Sequence, residues 1–254
     1  MTGIADALFD LSGKVAVVTG GSRGLGHEMV HAFAAQGADV VVSSRKSVDC
    51  ESTAAELRER YGHRAVALPT NVSEWTQCDI LVEQVYNTFG RVDILVNNAG
   101  LSPHYDGLLD VSEALWDKVI GVNLKGPFRL TAQFGERMAA DGGGSIINIS
   151  SVGSIRPSPD YLPYAAAKAG LNALTEGFAR AWPPHVRVNG IMAGPFRTDI
   201  AKAWDPTQEQ EWFGAMAMGR AGEPDEIVGA ALYFASAASS FTTGAILRVD
   251  GGTP

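Results

Sequence analysis

Tyr164 and Lys168 stand four residues apart in the stretch YAAAK, and together they could exchange a proton with a substrate. Residues at this spacing share one face of a helix, so the phenol and the ammonium group would lie close together. A free tyrosine has a pKa near 10, and a nearby positive charge favours the phenolate and lowers that value. We therefore predict that Tyr164 is a general acid/base and that Lys168 lowers its pKa. A solvated surface pair is the alternative interpretation.

Two further polar side chains could complete a catalytic group with this pair. Ser151 precedes Tyr164 by thirteen residues and follows an apolar run that is typical of a buried strand. Because ligands bind at the carboxyl edge of such sheets, its hydroxyl could orient a substrate oxygen. Asn123 lies in a helical stretch farther upstream. Each has a simpler explanation, since Ser151 could be a turn residue and Asn123 could cap a helix break before Pro127.

The stretch TGGSRGLG, residues 19–26, places several glycines directly after a short apolar run. A turn that joins a strand to a helix N-terminus can bind a pyrophosphate through its backbone N–H groups. The spacing is Gly20-x3-Gly24-x-Gly26, which differs from GxGxxG, the common dinucleotide fingerprint. Taken alone, the glycines fit either a phosphate site or a tight turn that binds nothing.

The elements that must position these residues alternate between short Val- and Ile-rich runs and longer helical patterns. Fully buried parallel strands have this composition. We predict an α/β fold, a single-domain Rossmann-like doubly wound parallel sheet of about seven strands flanked by helices, over residues 1–254. The predicted strands cover 15–18, 38–43, 65–69, 92–97, 145–150, 186–191 and 246–250. The predicted helices cover 26–36, 49–61, 73–89, 164–182, 224–237 and also 112–141, as one helix or as two broken near Gly126-Pro127.

Charge and cysteine content limit the kinds of partner. A net charge of −8 argues against binding to nucleic acid or to an anionic membrane. The two cysteines, Cys50 and Cys78, have no metal-like spacing, and we predict no metal site. The N-terminus lacks the pattern of a signal peptide, and no apolar run approaches the roughly 18 residues of a membrane span. We expect a soluble cytoplasmic protein with a small-molecule substrate.

Six motifs, taken in chain order, resemble the short-chain dehydrogenase/reductase family in its single-domain branch. They are TGGSRGLG, NNAG (97–100), Asn123, Ser151, YAAAK and the closing VDGG (249–252). The opening of the chain is similar to gluconate-type sugar-acid dehydrogenases and to 3-oxoacyl thioester reductases. The resemblance implies hydride transfer between NADP(H) and a carbonyl or secondary alcohol. It also implies that Lys168 holds the nicotinamide ribose and that Asn123 helps to anchor a water chain reaching Lys168.

The end of the second predicted strand favours NADP(H) over NAD(H). NAD-preferring sites place an acid there for the ribose hydroxyls, but this chain continues with Ser44 and Arg45 and has no acid before Asp49. Guanidinium groups bind a 2′-phosphate well. If Arg45 instead lies in solvent at the start of a helix, NAD(H) would be the cofactor. The predicted cofactor-binding residues are Gly20, Ser22, Arg23, Gly24, Leu25, Gly26, Ser44, Arg45, Asn71, Val72, Asn98, Ala99, Gly100, Tyr164, Lys168, Gly194 and Thr198.

The irregular stretch 194–218 interrupts the regular alternation near the end of the chain and could cover the substrate. A helical pair packed on the surface is the alternative. The predicted substrate-contacting residues are Ser102, His104, Gly153, Arg156, Tyr161, Phe196 and Trp204. His104 and Arg156 could face a carboxylate or phosphate, or could simply be charges at the rim. Tyr161 misses the spacing to Lys168 that a proton donor needs, so we place it in the pocket wall.

The sequence is also compatible with other functions. The chain could be a catalytically silent dinucleotide-binding regulator, although such a protein has no need of the Ser-Tyr-Lys set. It could oxidise the alcohol of a sugar or sugar acid with NAD. A dehydratase or epimerase on the same fold usually has a different glycine turn and a longer chain. The family resemblance implies a homotetramer, with a dimer second. The small residues Ala165, Ala169 and Ala173 would suit close packing of a helix from another subunit, or could equally face the core.

Overall fold

The computed structural model describes residues 4–198 and 213–254, and its centre is a sheet of seven parallel strands. The strand order is β3-β2-β1-β4-β5-β6-β7, so the chain winds outward from β1 in one direction and then from β4 in the other. This confirms the predicted doubly wound α/β sheet. The strands are β1 Val15–Thr19, β2 Asp39–Ser43, β3 Ala65–Ala67, β4 Ile94–Asn97, β5 Gly144–Ser151, β6 Val186–Ala193 and β7 Ile246–Val249.

Helices cover both faces of the sheet and connect successive strands. The α-helices are α1 Ile4–Phe9, α2 Gly24–Ala35, α3 Ser47–Tyr61, α4 Trp75–Phe89, α5 Glu113–Ile120, α6 Gly126–Ala140, α7 Leu162–Phe178 and α8 Val228–Ala235. Gly62 and Gly90 end α3 and α4 with positive φ angles of 73° and 74°, a conformation that glycine adopts without strain. Within the described ranges, no helix combines the length and the apolar character that crossing a membrane requires.

Alternate residues of the strands enter two separate hydrophobic cores. In β1, Ala16 and Val18 pack into the core that includes Phe33 and Phe234, whereas Val17 packs into the core around Phe134. Successive side chains of a strand point to opposite faces, so a sheet covered on both sides needs apolar residues at every position. This requirement explains the uninterrupted apolar runs in the sequence.

The long helical stretch is continuous and does not break at Gly126-Pro127. A five-residue π-helical segment, Gly121–Lys125, joins α5 to α6, and the proline lies in the first turn of α6. A Cβ atom on Gly126 would lie 2.3 Å from the carbonyl oxygen of Val72, so glycine is needed for the close approach of these two segments. The Gly126-Pro127 pair in the sequence therefore marks a tight contact and a change of helical type, and it does not mark the end of a helix.

The start of α4 also differs from the prediction. The helix begins at Trp75 after Glu74, and Ser73 does not cap it. The Ser73 hydroxyl instead donates to Oδ1 of Asn71 at 3.0 Å, and the Ser73 backbone N–H donates to the same oxygen at 3.3 Å. Ser73 therefore belongs to a local Asx turn that precedes the helix.

Candidate active site

The glycine turn between β1 and α2 brings the end of β1, the start of α2 and the loop after β4 into contact. Gly20 has a φ of +68°, and Gly24 has a φ of +54°. A Cβ atom on Gly26 would lie only 2.2 Å from the Gly20 carbonyl oxygen. Side chains cannot be accommodated at that distance, so the turn folds tightly and α2 begins directly above the sheet edge. With no acidic residue in its first turn, α2 presents N–H groups that can receive a phosphate.

Thr19, at the end of β1, links this turn to the one that follows β4. Its Oγ1 accepts the backbone N–H groups of Asn98 and Ala99, both at 3.1 Å, and donates to the Val96 carbonyl. The amide of Asn98 donates in return to the carbonyls of Thr19 and Gly20. Thr19 was missing from the residues proposed from sequence. Its position as first residue of TGGSRGLG, at a strand end, was the available signal.

A hydroxyl pair and two arginines stand at one end of the cleft. The hydroxyls of Ser22 and Ser44 are 2.9 Å apart, and Ser44 also contacts the thiol of Cys50 at 3.1 Å. Arg23 and Arg45 line the same cleft and are exposed to solvent. This end of the cleft therefore offers hydroxyl and guanidinium donors, which are suited to a phosphate group.

Asp49 also lines this end of the cleft, although it was not among the site residues predicted from sequence. One of its carboxylate oxygens lies 3.9 Å from the Nζ atom of Lys46. The acid therefore has a cation beside it at the same helix entrance.

Ser151, Tyr164 and Lys168 meet at the carboxyl edge of the sheet and line the same cavity, whose volume is about 380 Å³. Ser151 ends β5, and the other two residues lie on one face of α7. The Ser151 oxygen accepts the backbone N–H of Gly153 at 3.1 Å, which leaves the hydroxyl proton available for another acceptor. The sequence prediction brought these three residues together, and the structure does so too.

Burial, and not the neighbouring ammonium group, dominates the pKa of Tyr164, and burial also dominates the pKa of Lys168. Burial raises the pKa of Tyr164 above its usual value, and an interaction with the Ser151 hydroxyl acts in the opposite direction. The prediction that the pKa of Tyr164 lies below its usual value is therefore wrong for this structure, because the effect of burial is the largest. The Nζ atom of Lys168 lies 5.6 Å from the centre of the Tyr164 ring and donates to the Ile149 carbonyl at 2.6 Å. Burial lowers the pKa of Lys168 itself to about 8.

Asn123 lies beneath the cavity in the π-helical segment and is fully buried. Its amide nitrogen donates to the carbonyls of Leu101 and Val119, and its Oδ1 accepts the Leu101 backbone N–H at 3.2 Å. The side chain does not line the cavity. It fixes the loop after β4, which is a positioning role. The water chain that the resemblance implied stays a prediction.

The remaining predicted cofactor residues are brought together as expected, with one exception. Gly26 packs behind the turn, while the others line the described part of the cavity. These are Gly20, Ser22, Arg23, Gly24, Leu25, Ser44, Arg45, Asn71, Val72, Asn98, Ala99, Gly100, Tyr164, Lys168, Gly194 and Thr198.

The predicted substrate residues are more scattered. Ser102 and Phe196 line the cavity, whereas the other described candidates do not. The side chain of His104 is 84% exposed, and Arg156 donates from Nε to the carbonyl of Pro254, so neither is directed into the cleft.

Tyr161 stands behind Tyr164. It packs edge-on against Tyr164 with ring centres 6.4 Å apart, and its hydroxyl donates to the Arg156 carbonyl at 2.9 Å. Gly153 contacts the Tyr161 ring, since a Cβ there would lie 3.1 Å from it. Trp204 and most of the stretch 194–218 lie outside the described residues.

Similar proteins share this architecture over nearly the whole chain. A family model described as enoyl-(acyl carrier protein) reductase matches residues 20–254. A short-chain dehydrogenase/reductase of Aspergillus oryzae is 38% identical over 250 residues, which cover 96% of each chain. A galactitol 2-dehydrogenase (L-tagatose-forming) of Cereibacter sphaeroides has the same identity and coverage, 38% over 250 residues and 96% of each chain. The solved structure of a gluconate 5-dehydrogenase from Burkholderia cenocepacia J2315, in complex with NADP and tartrate, is 34% identical, covers 98% of both chains and has a TM-score of 0.93.

Proposed function

Since this chain belongs to the short-chain dehydrogenase/reductase family and is an NAD(P)-dependent oxidoreductase acting on CH–OH groups, we propose that Tyr164 is its general acid/base. Ser151 orients the substrate oxygen, and Lys168 supports the proton transfer. The observation that carries this proposal is the convergence of these three side chains in one cavity at the carboxyl edge of the sheet.

The chemistry of these residues suits the reduction of a carbonyl group. The bound nicotinamide would supply the hydride, or accept it in the reverse direction. Because burial raises the pKa of Tyr164, the phenol keeps its proton at neutral pH and can donate it to the developing alkoxide. The hydroxyl of Ser151, anchored by Gly153, donates to the same substrate oxygen. The ammonium group of Lys168 favours the phenolate that forms when the proton leaves.

We propose NADP(H) as the preferred cofactor. Support comes from Arg23 and Arg45 at the end of the cleft that the Ser22–Ser44 hydroxyl pair also lines. The relatives agree, since the gluconate 5-dehydrogenase structure holds NADP. The residues that would hold the dinucleotide are those of the glycine turn, the Asn98 loop and the start of α3. Asp49 keeps NAD(H) as the alternative, because a carboxylate could accept the ribose hydroxyls.

For the substrate we propose a polyhydroxylated ketone or its alcohol, such as a keto sugar or sugar acid. The galactitol and gluconate dehydrogenases named above support this class. The stretch 194–218 would cover the substrate as part of a single catalytic domain. Of that stretch, Phe196 lines the cavity, and Met218 donates its backbone N–H to the Gly251 carbonyl at 2.9 Å.

The proposed assignment of Tyr164 can be tested by following NADPH absorbance with a panel of keto sugars, keto sugar acids and simple ketones. Tyr164→Phe should reduce turnover by about 10² to 10⁴ and leave NADPH binding within a few-fold. Tyr161→Phe is the matched control, and it should retain turnover because that hydroxyl donates to a backbone carbonyl. Full activity of Tyr164→Phe would overturn the proton-donor assignment. Tight NADPH binding without turnover on any substrate would favour a silent regulator.

We also propose that the enzyme is a homotetramer of the cytoplasm. Ala169 and Ala173 are exposed on α7, next to Leu162, which is 39% exposed, whereas Ala165 faces the core and cannot contribute. Such small residues allow close packing of a second helix. Cys50 and Cys78 are buried and unpaired, as is usual in a reducing compartment. Light scattering of wild type and Ala169→Glu tests the assembly, since the charged variant should dissociate.

A further inference from the structure

Two histidines and a glutamate converge on the outer surface of the helical layer, away from the catalytic cavity. His27 and His31 are four residues apart on α2, and their ring centres lie 4.4 Å apart. Glu56 approaches them from α3. Its Oε1 lies 3.6 Å from Nε2 of His31, and its Oε2 lies 3.9 Å from Nε2 of His27. One ligand atom from each of the three residues falls within 4.8 Å of the others.

Both imidazole rings are oriented by partners on their other nitrogen. Nδ1 of His27 lies 3.2 Å from Oε1 of Glu28, and Nδ1 of His31 lies 3.3 Å from the hydroxyl of Tyr61. Metal-binding histidines commonly hydrogen-bond through the nitrogen that does not bind the metal, and this contact fixes the ring and its tautomer. The arrangement leaves both Nε2 atoms directed towards Glu56.

The Nε2 atom of His31 is a buried polar atom without a hydrogen-bond partner among the described residues. The residue is only 8% exposed, and the nearest Glu56 oxygen, at 3.6 Å, is too distant for a hydrogen bond. Buried nitrogen atoms are nearly always satisfied by a partner. A cation between the ring and the carboxylate would satisfy both groups at once.

We propose that His27, His31 and Glu56 form a binding site for a divalent transition-metal ion of the Zn²⁺ type. Two imidazole nitrogens and one carboxylate are a ligand set that Zn²⁺ accepts, with water in the fourth position. Bond lengths of about 2.0–2.2 Å require the ligand atoms to close around the ion. Glu56 and His27 can move to do so, because their side chains are 51% and 31% exposed.

The ion would join two helices that flank the glycine turn. Helix α2 begins in that turn, and α3 begins just after Arg45. None of the three ligands lines the catalytic cavity, so the site would act on helix packing and stability. Cysteine spacing predicted no metal site, but the His-x3-His spacing of His27 and His31 on one helix was an available signal for one.

The test uses the full-length chain without an affinity tag, freed of metal with a chelator. Co²⁺ is titrated and its visible absorption is followed, and Zn²⁺ binding is measured by calorimetry. We expect one ion per chain, with a Co²⁺ spectrum of tetrahedral nitrogen and oxygen coordination, and a higher midpoint of thermal unfolding with Zn²⁺. Glu56→Gln should weaken binding at least about tenfold and remove the thermal shift.

Two substitutions serve as matched controls. His63→Gln and Glu59→Gln change exposed residues of the same types, and neither should alter binding. His31→Gln should abolish binding, and if that variant folds poorly, the exposed Glu56 still decides the question. The proposal is overturned if wild type binds neither ion, or if Glu56→Gln binds both ions as tightly as wild type. Equal weakening by His63→Gln would likewise overturn it.

Discussion

The Nζ atom of Lys168 donates a 2.6 Å hydrogen bond to the Ile149 carbonyl, at the end of β5 near Ser151. This contact joins the helix that carries Tyr164 to the strand that carries Ser151, so one cation links the two elements on which these side chains stand. The cost of burying the ammonium group lowers its pKa to about 8. Lys168 is thus both a positioning group and a charge that titrates near physiological pH.

Removing the Ser151 hydroxyl should impair turnover more than cofactor binding. Ser151→Ala should lower kcat for carbonyl reduction by about 10² to 10³, as loss of one donor to a developing oxyanion does, with the Kd for NADPH nearly unchanged. Stopped-flow rates and fluorescence titration measure the two quantities. Ser151→Thr keeps the hydroxyl and should recover part of the rate. Equal activity of Ser151→Ala and wild type would show that the hydroxyl serves only to accept the Gly153 N–H.

The charge of Lys168 should set an alkaline limit on activity. Because burial lowers the pKa of Lys168 to about 8, the ammonium group loses its proton as the pH rises through that value. Beyond that pH it no longer favours the Tyr164 phenolate that forms in the reaction. We therefore expect kcat/KM for reduction, which reports on the free enzyme, to fall above about pH 8. Initial rates across a pH series measure this limit.

A matched substitution separates this effect from other titrations. Lys168→Arg keeps its charge throughout the range, since arginine stays protonated up to about pH 12. The two proteins are compared by the shape of their pH profiles, because the larger head group changes the absolute rate. The alkaline fall should move to higher pH in this variant. Identical profiles for the two proteins would assign the fall to another group.

Much of the fold was predictable because both faces of the sheet are buried. That burial forces apolar runs such as residues 15–18, and the glycine signals at Gly62 and Gly90 mark true helix ends. The helix around Asn123 was harder. Gly126 and Pro127 usually signal a break, but here the glycine permits contact with Val72, and the chain continues through a π-helical segment. Such a contact between distant segments leaves no local pattern.

The convergence of Ser151, Tyr164 and Lys168 was predictable from their spacing, whereas their electrostatics was not. Spacing on α7 gives the shared face of Tyr164 and Lys168, but the depth of burial decides both pKa values, and burial depends on the whole fold. Arg156 shows the same limit for the substrate residues. Its contact with the Pro254 carbonyl joins residues 98 positions apart in sequence, so proximity to Ser151 along the chain did not predict where the guanidinium lies.

Arg45 should discriminate between the two nicotinamide cofactors. Arg45→Ala should weaken NADPH binding at least about tenfold and change NADH binding little, because only NADPH carries the 2′-phosphate that a guanidinium can bind. Fluorescence titration of both cofactors at one ionic strength gives the ratio of affinities. Lys118→Ala is the control, since it removes the same charge from α5, away from the cavity lining. Equal loss of affinity for both cofactors would show that Arg45 does not act through the 2′-phosphate, and no loss of either would place its side chain in solvent.

A methyl group on Gly26 should disrupt the turn from which α2 begins. The added Cβ would lie 2.2 Å from the Gly20 carbonyl oxygen and 2.5 Å from Nδ2 of Asn98, and overpacking of this kind costs about 1–3 kcal/mol. Gly26→Ala should therefore lower the free energy of unfolding and weaken NADPH binding at least about tenfold.

Gly229→Ala is the matched control. That glycine is exposed on α8, and apart from its own helix no atom of the described residues lies within 4 Å of the added Cβ, so alanine should stabilise the protein by up to about 1 kcal/mol. Urea unfolding of both variants measures the difference, and a Gly26→Ala protein as stable as wild type would show that the turn can relax around a side chain.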